Sequence, residues 1–278
     1  MNHIKSNSMV VFPNAKINLG LNITEKRKDG FHNIETVFYP IGITDILEIN
    51  KSHETCYKNT EIIIEKGDLQ KNLCYKAYQI LQKEYNLPPV NIHLHKKIPL
   101  GSGLGGGSSD ASHTLLVLNQ LFNLQLNKKD LANYAKQLGA DCAFFMHNTP
   151  KLAYGTGDQL TKISVDLSGF YLMVIVPNIF VSTAKAYKNV KIKKNKIPIN
   201  KIIHKYPIEE WKELLINDFE DTVFEEFPLI GEIKDYLYHK GAVYASLSGS
   251  GSSLYGIFKT KPQIDSYLKK FTNWVELL

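Results

Sequence analysis

The chain has only three cysteines, Cys56, Cys74 and Cys142, widely spaced and without the paired spacing of a metal site. That excludes a disulfide framework and a cysteine-held zinc, and it predicts reduced thiols in a cytosol-like compartment. Long apolar runs are missing too. The longest, Phe170 to Val176, falls far short of the roughly 20 residues that span a bilayer. The first residues, MNHIKSNSMVVFPNAK, lack the apolar core of a secretory signal. No membrane partner is expected, and the cytoplasm is the expected location. No repeat of fixed period is present. Acidic residues are absent between Asp166 and Glu209, where Lys185, Lys188, Lys191, Lys193, Lys194, Lys196, Lys201 and Lys205 all fall. Removing those eight lysines turns the net charge of +6 into −2. The basicity is therefore one segment, read as a solvated loop or an adaptation to anionic small molecules rather than a nucleic-acid surface.

What is abundant is glycine and serine in one place. PLGSGLGGGSSDAS, Pro99 to Ser112, holds five glycines and four serines directly ahead of Ala111, Leu115, Leu118 and Phe122, which recur at helical spacing. Backbone free of side chains lets a polyanion approach closely. The start of a helix adds unpaired N–H groups and a positive dipole end, which bind an anion without any lysine. Ser108 or Ser109 is the expected N-cap. Asp110 then falls in the first turn, and its charge predicts that it points away from a bound phosphate or toward a metal ion. No Lys-Ser/Thr follows the last glycine, so this is not a Walker loop. Gly101, Gly103 and Gly106 spell G-x-G-x-x-G, but the acidic residue of a dinucleotide site is missing where a second strand should close. A flexible linker is the remaining reading. The patterned strand Val90, Ile92 and Leu94 on one side and the patterned helix on the other argue against it.

Period-two alternation predicts a strand from Lys16 to Ile23, with Lys16 and Asn18 sharing a polar face. Further strands are expected at Ile34–Tyr39, Ile46–Ile49, Ile62–Ile64, Val90–His95, Tyr171–Val176, Val243–Leu247 and Leu254–Phe258. Helices are expected at Leu73–Tyr85, at Lys128–Leu138 with Gly139 as a left-handed stop, near Glu209–Ile216, at Leu229–Lys240, and after Pro262. Asp141 lies two residues past Gly139. A turn is read at Gly155–Asp158, and a second glycine-serine loop at Ser248–Ser253. His93 and His95 read as surface residues, and no zinc site is proposed. Antiparallel strands with segregated helices indicate an α+β class.

The loop PLGSGLGGGSSDAS, the later LSGSGSS and the early AKINLGL strand resemble the GHMP kinases. AKINLGLNITEKRKDGFHNIETVF, LGADCAFF, PNIFVSTAKAY and NDFE carry the resemblance through nearly the whole chain. They point to a branch whose acceptor is a hydroxyl of a cytidine diphosphate-linked sugar alcohol, on the non-mevalonate route to isoprenoid precursors. The resemblance implies a two-lobed kinase. Residues 1–160 would form an amino-terminal lobe like ribosomal protein S5 domain 2, with the ATP loop and catalytic pair. Residues 161–278 would form a ferredoxin-like lobe that contributes to substrate binding. ATP with Mg²⁺ would lie along Pro99, Leu100, Gly101, Ser102, Gly103, Leu104, Gly105, Gly106, Gly107, Ser108 and Ser109; no residue is assigned to the metal. The catalytic pair carries over to Lys16 and Asp141, and substrate contacts to Asn18, Phe31, His32, Thr183 and Tyr187. Phe31 stands where many relatives have tyrosine, which keeps a stacking face and loses a phenol. Asn14 separates Pro13 from Ala15, where proline often directly precedes the alanine. A monomer or weak homodimer without nucleic acid is expected. The rival readings are a GHMP kinase for another small alcohol and a non-catalytic nucleic-acid-binding protein.

Overall fold

A computed structural model describes residues 7–60, 69–193 and 196–278. The strands in chain order are β1 (Ser8–Val11), β2 (Asn14–Lys26), β3 (His32–Thr44), β4 (Ile46–Lys51), β5 (Cys56–Asn59), β6 (Val90–His95), β7 (Lys151–Tyr154), β8 (Gln159–Lys162), β9 (Tyr171–Val176), β10 (Tyr244–Leu247), β11 (Leu254–Phe258) and β12 (Thr272–Leu277). The helices are α1 (Leu73–Tyr85), α2 (Gly106–Leu121), α3 (Lys128–Leu138), α4 (Cys142–His147), α5 (Thr183–Asn189), α6 (Ile199–Lys205), α7 (Trp211–Leu214), α8 (Glu220–Glu226) and α9 (Pro228–His239). The expected strand Ile62–Ile64 and Lys194 lie outside the described residues. Among the described residues, no helix is long and apolar enough to cross a membrane.

The chain forms two compact units, and neither is a continuous half. The first takes residues 1–15, 43–98 and 105–149; the second takes 16–42, 99–104 and 150–278. This division does not follow a single cut at residue 160, because residues 16–42 and 99–104 fall in the same unit as 150–278.

In the first unit the sheet order is β1-β4-β6-β5, with β5 the one strand that pairs parallel. β6 buries Val90, Ile92 and Leu94 and exposes Asn91 and His93, as its alternation predicts. His93 meets Thr60 at the surface, Nε2 to Oγ1 at 2.9 Å. The apolar side of the sheet, including Leu47, Ile49, Ile92 and Leu94, packs with Ala77, Leu81, Leu115 and Leu118 of α1 and α2. α1 begins where Asn72 Oδ1 accepts the N–H groups of Cys74 and Tyr75, at 2.9 and 3.2 Å. α3 carries a capping box between Asn127 and Asp130. Gly139 does end α3, but in extended backbone (φ 170°) rather than left-handed. All three thiols are free; Cys74 and Cys142 are buried and Cys56 is half-buried. Burial pushes the Cys142 thiol up to about 11 and that of Cys74 higher still.

The second unit contains the sheet β2-β3-β7-β8 and the sheet β10-β11-β9-β12. The second of these is antiparallel throughout. Met173, Ile175, Ala245, Leu247 and Leu254 pack with Ile230, Ile233 and Leu237 of α9. β2 departs from the simple alternation, since every residue from Ala15 to Ile23 is buried, the polar ones included. The expected helix after Pro262 is reduced to a 3₁₀ turn at Leu268–Lys270. Asp265 Oδ1 instead accepts the N–H groups of Tyr267 and Leu268, both at 3.1 Å, and the chain then enters β12 beside β9. The Glu209–Ile216 helix shortens to a 3₁₀ turn and the single turn of α7. The lysine segment is only partly solvated. Lys185 pairs with Glu226 at 2.5 Å, Lys193 with Asp221 at 2.6 Å, and Lys196 with the buried Asp218.

Candidate active site

The second unit gathers Lys16, Asn18 and the first half of the glycine loop. Lys16 is 3% exposed, so its ammonium needs partners close at hand. Nζ donates to Asn18 Oδ1 at 2.6 Å and to the Gly103 carbonyl at 3.0 Å, and lies 5.1 Å from the centroid of the Phe38 ring. Asn18 Nδ2 donates to Thr36 Oγ1 at 3.0 Å, and the Asn18 carbonyl accepts the Tyr255 hydroxyl at 2.6 Å. Side-chain order around Lys16 is thus fixed from several directions, which is what holds a rotamer-rich lysine in one place.

The two glycine-serine loops lean on each other. The Gly103 carbonyl also accepts Ser248 Oγ at 3.0 Å, and the Ser253 N–H donates to the Ser102 carbonyl at 3.0 Å. Asn217, from the NDFE segment, holds the later loop by donating Nδ2 to the carbonyls of Leu247 and Gly249, each at 2.8 Å. Gly103 has φ +82°, and a Cβ there would fall onto the Ser248 carbonyl oxygen. Ser102 Oγ turns back to the Pro99 carbonyl at 2.7 Å, while Leu100 is exposed. Phe180 covers Gly101, its ring 3.1 Å from where a Cβ would be.

From Gly105 onward the loop belongs to the first unit. The helix starts earlier than the serines suggest. Gly105, left-handed at φ 72°, is the N-cap, and no side chain caps the helix. A glycine that can adopt this conformation starts the helix without a hydroxyl, so Ser108 and Ser109 fall inside α2. Ser109 is buried, and Ser112 Oγ donates to the carbonyls of Ser108 and Cys142 at 2.7 and 2.8 Å.

Asp110 is consequently beyond the first turn, and its side chain points at the buried Lys96. Its Oδ2 accepts from Lys96 Nζ at 2.8 Å. Lys96 also donates to Asp45 Oδ2, and Asp45 Oδ1 accepts the N–H groups of Lys97 and Ile98 at 2.5 and 2.8 Å. Lys96 Nζ lies 3.1 Å from the position of a Cβ on Gly106. A buried lysine therefore stands behind this helix start, where the loop pattern alone required none. The only sequence signal for it was a KK pair three residues ahead of Pro99.

Asp141 is the half-buried residue before α4, with φ −76° and ψ −15°, and its side chain makes no capping bond to that helix.

The segment expected to read a base is built on the β2–β3 hairpin of the second unit. Arg27 Nη2 and Nε grip Asp29 Oδ2 at 2.7 and 3.0 Å, and the Phe31 N–H donates to Asp29 Oδ1 at 3.1 Å. The Arg27 guanidinium holds the Asp29 carboxyl below its ordinary range. These bonds close the turn, and it leaves Phe31 64% exposed. His32 stacks on Tyr187, with centroids 5.1 Å apart at 23°, and Tyr187 meets Phe219 edge-on at 4.8 Å. Burial, with Lys26 adding to it, lowers the His32 pKa and keeps the imidazole neutral. Thr183, the first residue of α5, shares a hydrogen bond with Ser250 of the later loop at 2.9 Å. His32 and Tyr187 are thus brought together, whereas no ring of the described residues is seated on Phe31.

Residues 72–149 match the family model described as GHMP kinases N terminal domain, and 206–276 the one described as GHMP kinases C terminal. A 4-diphosphocytidyl-2-C-methyl-D-erythritol kinase of Bacteroides thetaiotaomicron is 52% identical over 266 residues, covering 92% of this chain and 96% of the relative. One from Cytophaga hutchinsonii is 48% identical, covering 92% and 94%. A crystal structure of 4-(cytidine 5'-diphospho)-2C-methyl-D-erythritol kinase superposes with TM-score 0.80 at 28% identity, over 96% of this chain and 98% of the other. The Methanococcus jannaschii mevalonate kinase shares the fold, with TM-score 0.70 at 15% identity over 99% of this chain and all of the other. With both domain models matched and about half of its residues identical to these relatives, the chain belongs to the GHMP kinases, in the family of 4-diphosphocytidyl-2-C-methyl-D-erythritol kinases.

Proposed function

We propose that the chain transfers the γ-phosphoryl group of ATP to the 2-hydroxyl of 4-diphosphocytidyl-2-C-methyl-D-erythritol, in the non-mevalonate route to isoprenoid precursors. The observation that carries the reading is Lys16, a buried ammonium hydrogen-bonded to the carbonyl of Gly103 in the glycine loop. A cation built into a phosphate-binding loop needs no such burial for packing alone, and it is placed for the charge that develops during phosphoryl transfer.

In this reaction the acceptor oxygen forms a bond to the γ-phosphorus, the bond from that phosphorus to the bridging oxygen breaks, and ADP leaves. Asp141 takes the hydroxyl proton on a carboxylate oxygen. Lys16 orients the hydroxyl and offsets charge on the transferring group. The backbone of Pro99–Ser109 lines the phosphates, and the uncapped first turn of α2, which has no acidic residue, suits them. Mg²⁺ enters with the triphosphate. Among the described residues no three His, Cys, Asp or Glu side chains gather to hold a metal; Mg²⁺ would be held chiefly by phosphate oxygens and water and would supply positive charge to the triphosphate. Asn18 orients Lys16 and with Thr183 contacts the substrate, while Phe31, His32 and Tyr187 receive the cytosine. We assign the cut near residue 160 to the two catalytic lobes, the cytoplasm as location, and a monomer or weak homodimer as the working form.

Tyr187→Ala is expected to raise the acceptor KM about ten- to a hundredfold, since a base stacked on an aromatic ring is worth about 1–3 kcal/mol. The KM for ATP should hardly change. Equal rises in both constants would mean that the ring supports the fold and does not read a base.

The direct test is ADP release from Mg·ATP with 4-diphosphocytidyl-2-C-methyl-D-erythritol, against no acceptor, homoserine, mevalonate and galactose. Turnover confined to the cytidine substrate is expected. Turnover with another alcohol would replace the substrate and keep the chemistry. Salt-sensitive RNA binding without turnover would replace both.

A further inference from the structure

The transfer chemistry leaves one group of buried ions unused. Lys96 is held between Asp45 and Asp110, all three within the first unit and all buried. Both carboxylate oxygens of Asp45 accept hydrogen bonds, Oδ2 from Lys96 and Oδ1 from the N–H groups of Lys97 and Ile98. Asp110 differs. Only 2% exposed, it has one oxygen on Lys96 and the other, Oδ1, buried with no hydrogen-bond partner. A charged oxygen in that position is expensive, and a protonated one much less so.

The count of charges points the same way. One ammonium between two carboxylates leaves one negative charge in excess, and carboxylates that share a site raise each other's proton affinity. The remaining groups around Asp110 do not alter the count. Cys74 of α1 and Tyr57 of β5 interact with it, and burial pushes both above their ordinary ranges, so both are neutral. His113, one turn along α2, bonds back to Ser109, and burial lowers its pKa so that it too is neutral. Thr114 Oγ1 donates to the Asp110 carbonyl at 2.8 Å. Burial, reinforced by Asp45 and opposed by Lys96, pushes the Asp110 carboxyl up to about 7.

The position of this group gives the charge a consequence. Lys96 Nζ is 3.1 Å from where a Cβ of Gly106 would be, directly against the first residue of α2. An excess negative charge there opposes an anion at the helix start, and the neutral, protonated group does not. We propose that nucleotide binding at the start of α2 is coupled to uptake of a proton by Asp110, which acts as a positioning residue through Lys96 and Gly106 and touches no phosphate. The proposal rests on the reading of the loop as an ATP site. The sign follows from linkage. The nucleotide favours the protonated group, so it raises the folded, liganded pKa of Asp110, and affinity falls as pH rises from the unliganded value toward the liganded one.

Calorimetric titration with Mg·ADP in two buffers of different ionisation enthalpy tests this, using wild type and Asp110→Asn. For a liganded shift of about one unit, wild type should take up about half a proton near pH 7.5 beyond whatever Asp110→Asn takes up. Its Kd should also weaken about sixfold from roughly pH 6.5 to 8.5, against a flatter profile for the variant. Equal proton uptake and parallel profiles would overturn the proposal. Should the variant not fold, the infrared difference spectrum of wild type, Mg·ADP-bound minus free, near pH 8 should gain a protonated-carboxyl band, and its absence would equally overturn the coupling. Failure of any nucleotide to bind at any pH would instead remove the ATP reading beneath it.

Discussion

Asp141→Asn is expected to lower kcat by about two to four powers of ten, the usual contribution of a positioned base, with the KM for ATP within about threefold of wild type. The substitution keeps the shape of the side chain and removes its ability to take a proton. The isosteric change should leave the fold intact, which thermal melts check. Lys16→Met should produce a loss of similar order with an added structural cost. Asn18 Oδ1 loses a buried donor, at about 1–3 kcal/mol for the group left unpaired, while the Gly103 carbonyl keeps its bond from Ser248 Oγ. Saturating-substrate kinetics with thermal melts on both variants separate the two effects. An Asp141→Asn enzyme within tenfold of the wild-type kcat would remove the base assignment.

Gly103→Ala is the second large effect, and it acts through the backbone. An alanine at φ +82° costs about 1–2 kcal/mol by itself. Its Cβ also collides with the Ser248 carbonyl, a backbone oxygen that cannot swing aside as a side chain would. The two glycine-serine loops must then part, and the bonds from Lys16 and Ser248 to the Gly103 carbonyl go with them. A destabilisation of about 3 kcal/mol or more follows, which is roughly 6–12 °C in Tm for a protein of this size. Gly107→Ala is the contrast. Its position would meet only Leu73 Cδ1, at 3.9 Å, and an alanine inside α2 gains about 0.5–1 kcal/mol of helix stability. The methyl group still narrows the approach to the helix start, so the KM for ATP should rise while Tm does not fall. If both variants melted alike, the contact between the loops would not be what makes Gly103 special.

The elements that were legible in the sequence are those whose causes are local. Val90, Ile92 and Leu94 gave β6 its boundaries, and the apolar spacing from Leu73 to Tyr85 gave α1 its length. The glycine loop and the DGFH hairpin carried the family resemblance that the relatives bear out. What escaped depends on partners far along the chain. The run after Pro262 reads as a helix until β9, about a hundred residues earlier, supplies the strand that β12 pairs with. The lysine segment reads as free charge because Asp218, Asp221 and Glu226, which take up three of its lysines, lie beyond its end. The role of Asp110 was hidden for the same reason, since Lys96 and Asp45 lie 14 and 65 positions before it. The N-cap was misplaced because a left-handed glycine does without the side chain that marks most helix starts.

The discontinuity of the second unit governs how the chain can mature as it is synthesised. β2 and most of β3 belong to that unit, yet β7, the next strand of their sheet, follows more than a hundred residues later, and the other sheet is closed by β12 at Thr272–Leu277. At about 5–20 residues per second, a ribosome would need roughly 10–50 s to pass from the end of β3 to β12. Throughout that interval the apolar residues of the first hairpin, Leu21, Ile23 and Ile34 among them, lack the core they will later join. The nascent hairpin is then exposed to wrong pairings, a hazard of high contact order. Expression at lower temperature, or with a holdase chaperone, should therefore raise the soluble yield more than any surface substitution.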